Sequence, residues 1–329
     1  MTKDVERAFD TVWHAGLKYK ICTKFNFPSC TNKLLSSFLD DRKLKLKFKG
    51  KVSSTINMHA GVPQGSIISP TLYILYTNDL PDPTFPDSLT LLYADDCTHL
   101  ARHDSLAGVV RRINDELDTV SRWEHKWLIK TNSTKTKVLF INPRHNPPYD
   151  PIYLNSFDRL QAPLQITHSC TVLGVTFDMF RFHYHTSSKA ALARKTLQSL
   201  YRFRCAASRT KLHLLKALIT PLLTNAPLTL TLAAQTNRRK LQIVLNKALR
   251  WVYSVAWDDF VSTARLHERA AVLPLNLVWR WMICKQLDKL RAWCPDWIER
   301  SSAFIQGRRS GIGRDLFSLD WSEEIEPAF

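Results

Sequence analysis

Residues 89–100 read Leu-Thr-Leu-Leu-Tyr-Ala-Asp-Asp-Cys-Thr-His-Leu, an apolar run that two adjacent acids interrupt. The apolar residues on either side predict two short strands, with Asp95 and Asp96 at the tight turn between them. Two carboxylates this close repel each other, and a divalent cation would remove that cost. A solvated turn would explain the same pair, because aspartate is a favoured turn residue. Both interpretations are open at this point.

A third acid, Asp4, lies far upstream in the segment Lys-Asp-Val-Glu-Arg-Ala-Phe-Asp at residues 3–10. Mg²⁺ prefers several oxygen ligands in an octahedral array, so two ions that bridge a triphosphate need carboxylates from more than one segment. We therefore expect Asp4 and Asp95 to meet in the folded chain.

A loop rich in turn residues separates these acids. Residues 60–70 read Ala-Gly-Val-Pro-Gln-Gly-Ser-Ile-Ile-Ser-Pro. Its two glycines allow the backbone to approach a ligand closely, and Gln64 can donate and accept hydrogen bonds at the same time. Ser69 is predicted to cap a helix that has Pro70 in its first turn.

Hydrophobic periodicity divides the remaining chain into a mixed part and a helical part. A stripe at spacing three to four predicts a helix over residues 106–127, with Asp104 or Ser105 as its cap. Residues 138–141 read as a buried strand, and short strands are predicted up to residue 177, after a proline-rich loop at 142–151. Apolar stripes then predict helices at residues 190–203, 211–223, 238–252 and 275–290.

One segment combines lysines with strict alternation. Residues 43–49 read Lys-Leu-Lys-Leu-Lys-Phe-Lys, which in a strand places Lys43, Lys45, Lys47 and Lys49 on one face. Gly50 would turn the chain back into a return strand over residues 52–58. The basic face either contacts the phosphates of a template or protects an edge strand from aggregation, and the sequence allows both.

Composition indicates a polyanionic partner. The chain has 46 Lys and Arg against 29 Asp and Glu, a formal net charge of +17, and such an excess favours binding to phosphate backbones. Seven cysteines without paired C-x-x-C spacing suit a reducing compartment and predict no zinc site. The sequence contains no recognisable secretory signal and no long uncharged apolar run, so we expect neither secretion nor a membrane role.

Three segments, residues 4–10, 61–70 and 93–96, resemble in this order the palm motifs of reverse transcriptases. The wider sequence resembles non-LTR (LINE-type) retrotransposons, and among them jockey-like elements. Further agreement comes from residues 127–136, 172–177 and 212–221, and the resemblance fades after about residue 257. Ordered motifs of this number are specific, whereas one alone would be weak.

The resemblance implies an α+β fold. A polymerase palm, an antiparallel sheet packed on helices, would occupy residues 1–188. An all-helical thumb and C-terminal region would follow over residues 189–300, with a loosely ordered tail at 301–329. In the family a hydrophobic strand and a fingers region precede the acid that corresponds to Asp4. Only three residues precede it here, so the resemblance indicates an N-terminally truncated fragment whose fingers are largely missing.

The resemblance also implies a role for each matching residue. Asp4, Asp95 and Asp96 would be catalytic and would hold two Mg²⁺ or Mn²⁺ ions, and Lys135 would lie near the leaving pyrophosphate. For Lys135 a solvated surface lysine is the competing interpretation. Contacts to the nucleotide would come from Val5, Phe9, Gln64, Gly65 and Tyr93, of which Phe9 would crowd a ribose 2′-OH. Leu173 and Gly174 would contact nucleic acid, in a hairpin at the primer end. The four alternating lysines are candidates for such a contact from their pattern and not from the resemblance.

The implied activity is that of an RNA-directed DNA polymerase. Its partners would be an RNA template, a DNA primer and a deoxynucleoside triphosphate, together with other proteins that the element encodes. The competing hypothesis is a catalytically inactive remnant of a retroelement that binds nucleic acid non-specifically. The family would place either protein in the nucleus or the cytoplasm.

Overall fold

The computed structural model describes residues 1–141, 152–155, 161–178, 182–256 and 258–293. The chain divides into two compact units, residues 1–173 and residues 174–329. The first unit combines a sheet with helices and the second is built mainly from helices, which confirms the predicted α+β class. The predicted loop at 142–151 and the predicted tail at 301–329 lie outside the described residues.

The first unit contains four helices and twelve of the strands among the residues that the structure describes. In chain order they are β1 (Thr2–Asp4), α1 (His14–Thr23), α2 (Ser29–Leu39), β2 (Lys43–Leu44), β3 (Lys47–Phe48), β4 (Lys51–Val52), β5 (Ile56–Asn57), α3 (Ser69–Thr77), β6 (Ser88–Tyr93), β7 (Asp96–Ala101), α4 (Leu106–Lys126), β8 (Lys137–Leu139), β9 (Tyr153–Asn155), β10 (Gln161–Pro163), β11 (Gln165–Thr167) and β12 (Cys170–Val172).

The main sheet has five strands in the order β11-β8-β1-β7-β6. Its central strand, β1, runs antiparallel to both neighbours, whereas β11 is parallel to β8. The strands β6 and β7 form the predicted hairpin, with Ala94 and Asp95 as the two turn residues. The predicted hairpin is therefore confirmed, although Asp96 is the first residue of β7 and not a turn residue. The predicted antiparallel sheet contains one parallel pair.

Helix α4 packs against this sheet through the predicted stripe. The Ser105 hydroxyl accepts a hydrogen bond from the Gly108 amide, as expected for an N-cap. Val110, Ile113 and Leu117 are buried and belong to a cluster with Val138 of β8. The helix therefore supports the sheet from one face and leaves the other face to the acidic residues described below.

A second core of the first unit surrounds a lysine. Lys20 of α1 is buried, and its Nζ lies 3.7 Å from the centroid of a Trp127 ring, with the rings of Tyr76 and Trp123 at 5.0 and 5.1 Å. The same ammonium group pairs with the Asp79 carboxylate. Burial lowers the pKa of Lys20 to about 8, with the Asp79 hydrogen bond acting in the opposite direction. This enclosure ties α1 to α3 and α4.

Two local predictions for this unit are wrong. Helix α3 begins at Ser69 rather than after it, with Ile68 at the N-cap position, and the Ser69 hydroxyl donates to the carbonyl of Pro63. The single lysine-rich strand is in fact two short pieces, β2 and β3, which pair with β5 and β4. Between β2 and β3, the Ser53 hydroxyl accepts from the Leu46 amide at 2.9 Å, while the Ser53 amide donates to the Leu46 carbonyl at 2.8 Å. Gly50 forms the predicted turn with a φ of 79°.

The second unit begins with a strand and continues with helices. Its described elements are β13 (Val175–Phe177), α5 (His183–Leu200) with a 3-10 turn (Tyr201–Phe203), α6 (Ser208–Leu214), a π segment (Leu215–Ile219), α7 (Thr220–Thr224), α8 (Pro227–Leu232), α9 (Gln235–Tyr253), α10 (Thr263–Ala270) and α11 (Leu275–Trp293). The four predicted helices are present, although the first begins seven residues early, at His183.

The predicted helix at 211–223 is not a uniform α-helix. Its central turn is a π segment that ends two residues before Pro221. Proline lacks the backbone N–H that the hydrogen bonds of an α-helix require. Just before the π segment lies Lys211, which is buried and donates to the Ser254 hydroxyl at 2.8 Å. The Lys211 ammonium also lies 5.8 Å from the Trp251 ring centroid. No described helix of either unit is both long enough and apolar enough to cross a membrane.

Candidate active site

The pairing of β1 with β7 brings distant acids together. Asp4 is the direct cross-strand partner of Asp96, so the two side chains project from the same face of the sheet. Asp95 lies in the turn, immediately before Asp96 at the start of β7. The pKa of Asp96 is raised, first by burial and then by the negative charges of Asp95 and Asp4. The three predicted acids therefore lie in one region, although ninety residues of chain separate the first from the other two.

The turn that carries Asp95 has a strained backbone. Ala94 has a φ of 53°, in the left-handed region that glycine enters without cost. Such conformations cluster at functional sites, where the surrounding structure holds them. Here the six residue pairs between β6 and β7 hold both sides of the turn. Tyr93, the cross-strand partner of Asp96, is largely exposed at the same tip.

Lys135 lies at the acidic site. Its Nζ is 3.4 Å from Oδ2 of Asp4, and both side chains are partly solvated. The backbone reaches this position through a turn in which Asn132 Oδ1 accepts from the amides of Thr134 and Lys135. The Asn132 amide in turn donates to the Asp4 carbonyl at 2.9 Å. The turn that carries Lys135 is thus anchored to the strand that carries Asp4.

An ion pair that the sequence analysis missed lies on the opposite face of β1. Lys3 is buried and its Nζ contacts Oε1 of Glu124 as an ion pair without regular hydrogen-bond geometry. The Thr131 hydroxyl donates to the same Oε1 at 2.7 Å. Val5 forms a single antiparallel bridge with Thr131. Because neighbouring strand residues point to opposite faces, anchoring Lys3 below the sheet directs Asp4 above it.

The Gln64 loop is bound to the segment that follows Asp4. The Val62 amide donates to the Phe9 carbonyl at 2.7 Å, and Gln64 Nε2 donates to Asp10 Oδ1 at 3.1 Å. Gly61 has a φ of 92°, and a Cβ there would lie 2.8 Å from the Asp10 carbonyl oxygen. This close approach explains why position 61, the first glycine of the loop, has no room for a side chain.

The predicted residues Phe9, Gln64 and Gly65 belong to this docked region. Gly65 also has a positive φ, 89°, but a Cβ there would meet nothing within 4 Å. Its φ alone therefore requires glycine, and the space beside it is open.

The residues predicted to contact nucleic acid belong to segments other than those that carry the three acids. The four lysines are all exposed, in the lysine hairpin, which we define as residues 42–58. Leu173 and Gly174 both have a positive φ, 47° and 78°, as expected for a tight turn. Their role as nucleic-acid contacts stays a prediction.

The donor set at the acidic site fits hard divalent cations. Asp4, Asp95 and Asp96 offer only carboxylate oxygens, the ligands that Mg²⁺ and Mn²⁺ prefer. Within the described parts of the chain, no three His, Cys, Asp or Glu side chains are already arranged as a metal cage. The Lys135 ammonium group lies beside this donor set, 3.4 Å from Oδ2 of Asp4.

Paired aspartates on a hairpin, beside a third aspartate on the neighbouring strand and backed by helices, are typical of the palm of nucleic-acid polymerases. Comparison with known proteins identifies the family. Residues 1–177, more than half of the 329, match the family model described as reverse transcriptase (RNA-dependent DNA polymerase). The chain belongs to the reverse transcriptase family.

Proteins of mobile elements match most of the chain. The chain is 30% identical over 281 residues to the probable RNA-directed DNA polymerase from transposon X-element of Drosophila melanogaster, which covers 80% of this chain and 29% of that protein. It is also 30% identical over 269 residues to the RNA-directed DNA polymerase from mobile element jockey of the same species, covering 77% and 28%. The resemblance to jockey-like non-LTR elements is confirmed. This chain spans less than a third of the length of these relatives.

Proposed function

We propose that this chain carries the palm and thumb of an RNA-directed DNA polymerase and transfers nucleotides from deoxynucleoside triphosphates to a primer 3′-OH on an RNA template. The observation that carries the proposal is the register of β1 and β7, which pairs Asp4 with Asp96 and leaves Asp95 at the adjoining turn. We assign residues 1–188 to the palm and 189–300 to the thumb. Family membership supports this assignment.

Each of the predicted catalytic residues would have a defined role. Asp4, Asp95 and Asp96 would hold two divalent ions, which when bound supply positive charge at the entering and leaving oxygens. Lys135 would neutralise charge on the departing pyrophosphate, a role that its distance of 3.4 Å from Asp4 supports.

The remaining predicted residues would bind and orient the substrates. Phe9 would lie against the sugar of the incoming nucleotide. Gln64 and Gly65 would lie along the templating base pair, and Val5 and Tyr93 would border the nucleotide. Leu173 and Gly174 would contact the primer end.

A primer-extension assay tests the proposal. The chain is given poly(rA)–oligo(dT), dTTP and either Mg²⁺ or Mn²⁺, and is compared with Asp95→Asn. Asp87→Asn is a matched control, because Asp87 precedes the same hairpin at its opposite end and pairs with Arg112 at 3.3 Å. We expect incorporation by the chain and by the control, and a loss of roughly 10³-fold or more in Asp95→Asn, since metal-held charge supplies several kcal/mol. Equal incorporation by both variants would contradict the proposal.

The charge of the chain favours a second candidate function, non-specific binding of nucleic acid without catalysis. The net charge of +17 and the exposed lysines of the lysine hairpin support it. Absence of incorporation by the unsubstituted chain, together with salt-sensitive binding to an RNA–DNA hybrid that Asp95→Asn retains, would favour this candidate.

A further inference from the structure

The ring of Phe9 rests on a second aromatic ring that the sequence analysis did not assign. The centroids of Phe9 and Tyr73 are 5.1 Å apart and their planes are inclined by 38°. Phe9 is half-buried, whereas Tyr73, in α3, is only 2% exposed. Aromatic pairs at this distance attract each other beyond the contribution of their burial. Tyr73 therefore forms a fixed wall behind the Phe9 ring.

The backbone of Phe9 has little freedom to move independently of this wall. The Phe9 carbonyl accepts the Val62 amide at 2.7 Å, and the preceding residue, Ala8, is buried. Rotation about the side-chain bonds is then the main freedom that the ring keeps. The buried Tyr73 ring excludes the Phe9 rotamers that point towards it, because a packed interior has no room for them.

Tyr73 is itself held rigidly. It belongs to the same core cluster as Leu72 and Tyr76 of α3 and Leu17 of α1. Burial raises the pKa of Tyr73, and the nearby charge of Asp95 raises it further, so the phenol stays neutral. The phenol therefore places no charge behind the Phe9 ring.

We propose that Tyr73 is a positioning residue, which holds Phe9 against the sugar of the incoming nucleotide and thereby sets the discrimination against ribonucleotides. The inference rests on the proposed function. If Phe9 can retreat into space vacated by Tyr73, a ribose 2′-OH meets less resistance. Selectivity between two nucleotides is a difference in transition-state binding, which one displaced contact changes by a factor of roughly 10 to 200.

The same helix supplies a matched control. Tyr76 is one turn away, is 1% exposed and lies in the same core cluster. Its ring packs edge-on against Trp127 at 6.3 Å, and its hydroxyl donates to the Trp127 carbonyl. Replacing either tyrosine with leucine removes a buried aromatic ring from α3 and destabilises the core to a similar extent. Only Tyr73 contacts Phe9 through the ring pair described above.

The experiment measures kcat/KM for dTTP and for UTP on poly(rA)–oligo(dT). We expect Tyr73→Leu to lower the dTTP-to-UTP ratio by roughly tenfold or more, while Tyr73→Phe, which keeps the ring, and Tyr76→Leu leave it within about twofold. Tyr73→Met has about the volume of Tyr73→Leu, but its unbranched side chain adapts better to an irregular gap, so it should shift the ratio in the same direction at a smaller cost in stability. It replaces Tyr73→Leu if that variant does not fold. In a Phe9→Ala background, Tyr73→Leu should have no further effect on the ratio.

The outcomes distinguish a failure of the inference about Tyr73 from a failure of the proposed function. An unchanged ratio in folded, active Tyr73→Leu or Tyr73→Met overturns the inference and leaves the proposed function intact. An equal shift in Tyr76→Leu also overturns it, because general loosening of α3 would then be sufficient. If the unsubstituted chain incorporates no dTTP, the proposed function fails and the inference falls with it.

Discussion

Replacing Glu124 with leucine removes one half of a buried ion pair beneath the acidic site. The side chains of Lys3 and Glu124 are 2% and 9% exposed, so the remaining ammonium group would stay buried without a counter-charge. An orphaned charge of this kind costs about 3–5 kcal/mol. The Thr131 hydroxyl also loses its acceptor, which adds about 1 kcal/mol. We expect Glu124→Leu to lower the free energy of unfolding of the first unit by about 4–6 kcal/mol in total.

The second substitution distinguishes a charge effect from a packing effect. Lys3→Met in the Glu124→Leu background removes the orphaned charge, and apolar replacement of a whole buried pair is often neutral or stabilising. Urea unfolding of the wild type, both single variants and the double variant gives the coupling free energy of the pair. Hydrogen exchange of β1 and α4 peptides assigns the effect to this unit. A cost below about 1 kcal/mol in Glu124→Leu, or no recovery in the double variant, would refute the reasoning.

Further predictions concern pH and salt. Burial and the nearby Lys3 charge lower the pKa of His99 to about 3. Between pH 6.5 and 3 the unfolded chain therefore binds one more proton at this residue than the folded chain, and stability falls as pH falls through that window. His99→Gln should flatten this part of a plot of the urea midpoint against pH. The pKa of Lys20 is lowered from 10.5 to about 8, so stability rises between pH 8 and 10.5, and melting curves of Lys20→Met should lack that rise. Replacing the four lysines of residues 43–49 by glutamine should reduce the slope of log K against log salt for nucleic-acid binding by up to about 3.6, and an unchanged slope would exclude the lysine hairpin as a contact.

The elements that the sequence predicted well are those with a strong local signal. The acidic hairpin has apolar residues on both sides of its turn, and α4 has a regular stripe with a serine cap, so short-range physics is sufficient for both. The prediction of one continuous lysine-rich strand failed for a physical reason. Both faces of residues 43–49 are exposed, with Phe48 73% exposed, so no buried face holds a regular register.

Other features depend on contacts that no local pattern encodes. Helix α1 buries His14, Gly16 and Lys20 on the same side as its leucine and isoleucine, so its sequence lacks an apolar stripe. The partner of Lys3 is 121 positions away, and that of Lys20 is 59 positions away. The pairing of Phe9 with Tyr73 likewise exists only after α3 has packed onto the first segment.

The two enclosed lysines offer a way to monitor each unit separately. Lys20 lies inside the first unit and Lys211 inside the second, each next to a tryptophan ring. An amine-reactive reagent will modify exposed lysines quickly and these two only when their own unit opens. Mass spectrometry of the two peptides, after timed exposure to such a reagent, would therefore report two opening rates from a single sample. Loss of protection at one lysine alone would reveal that one half of the molecule unfolds while the other persists.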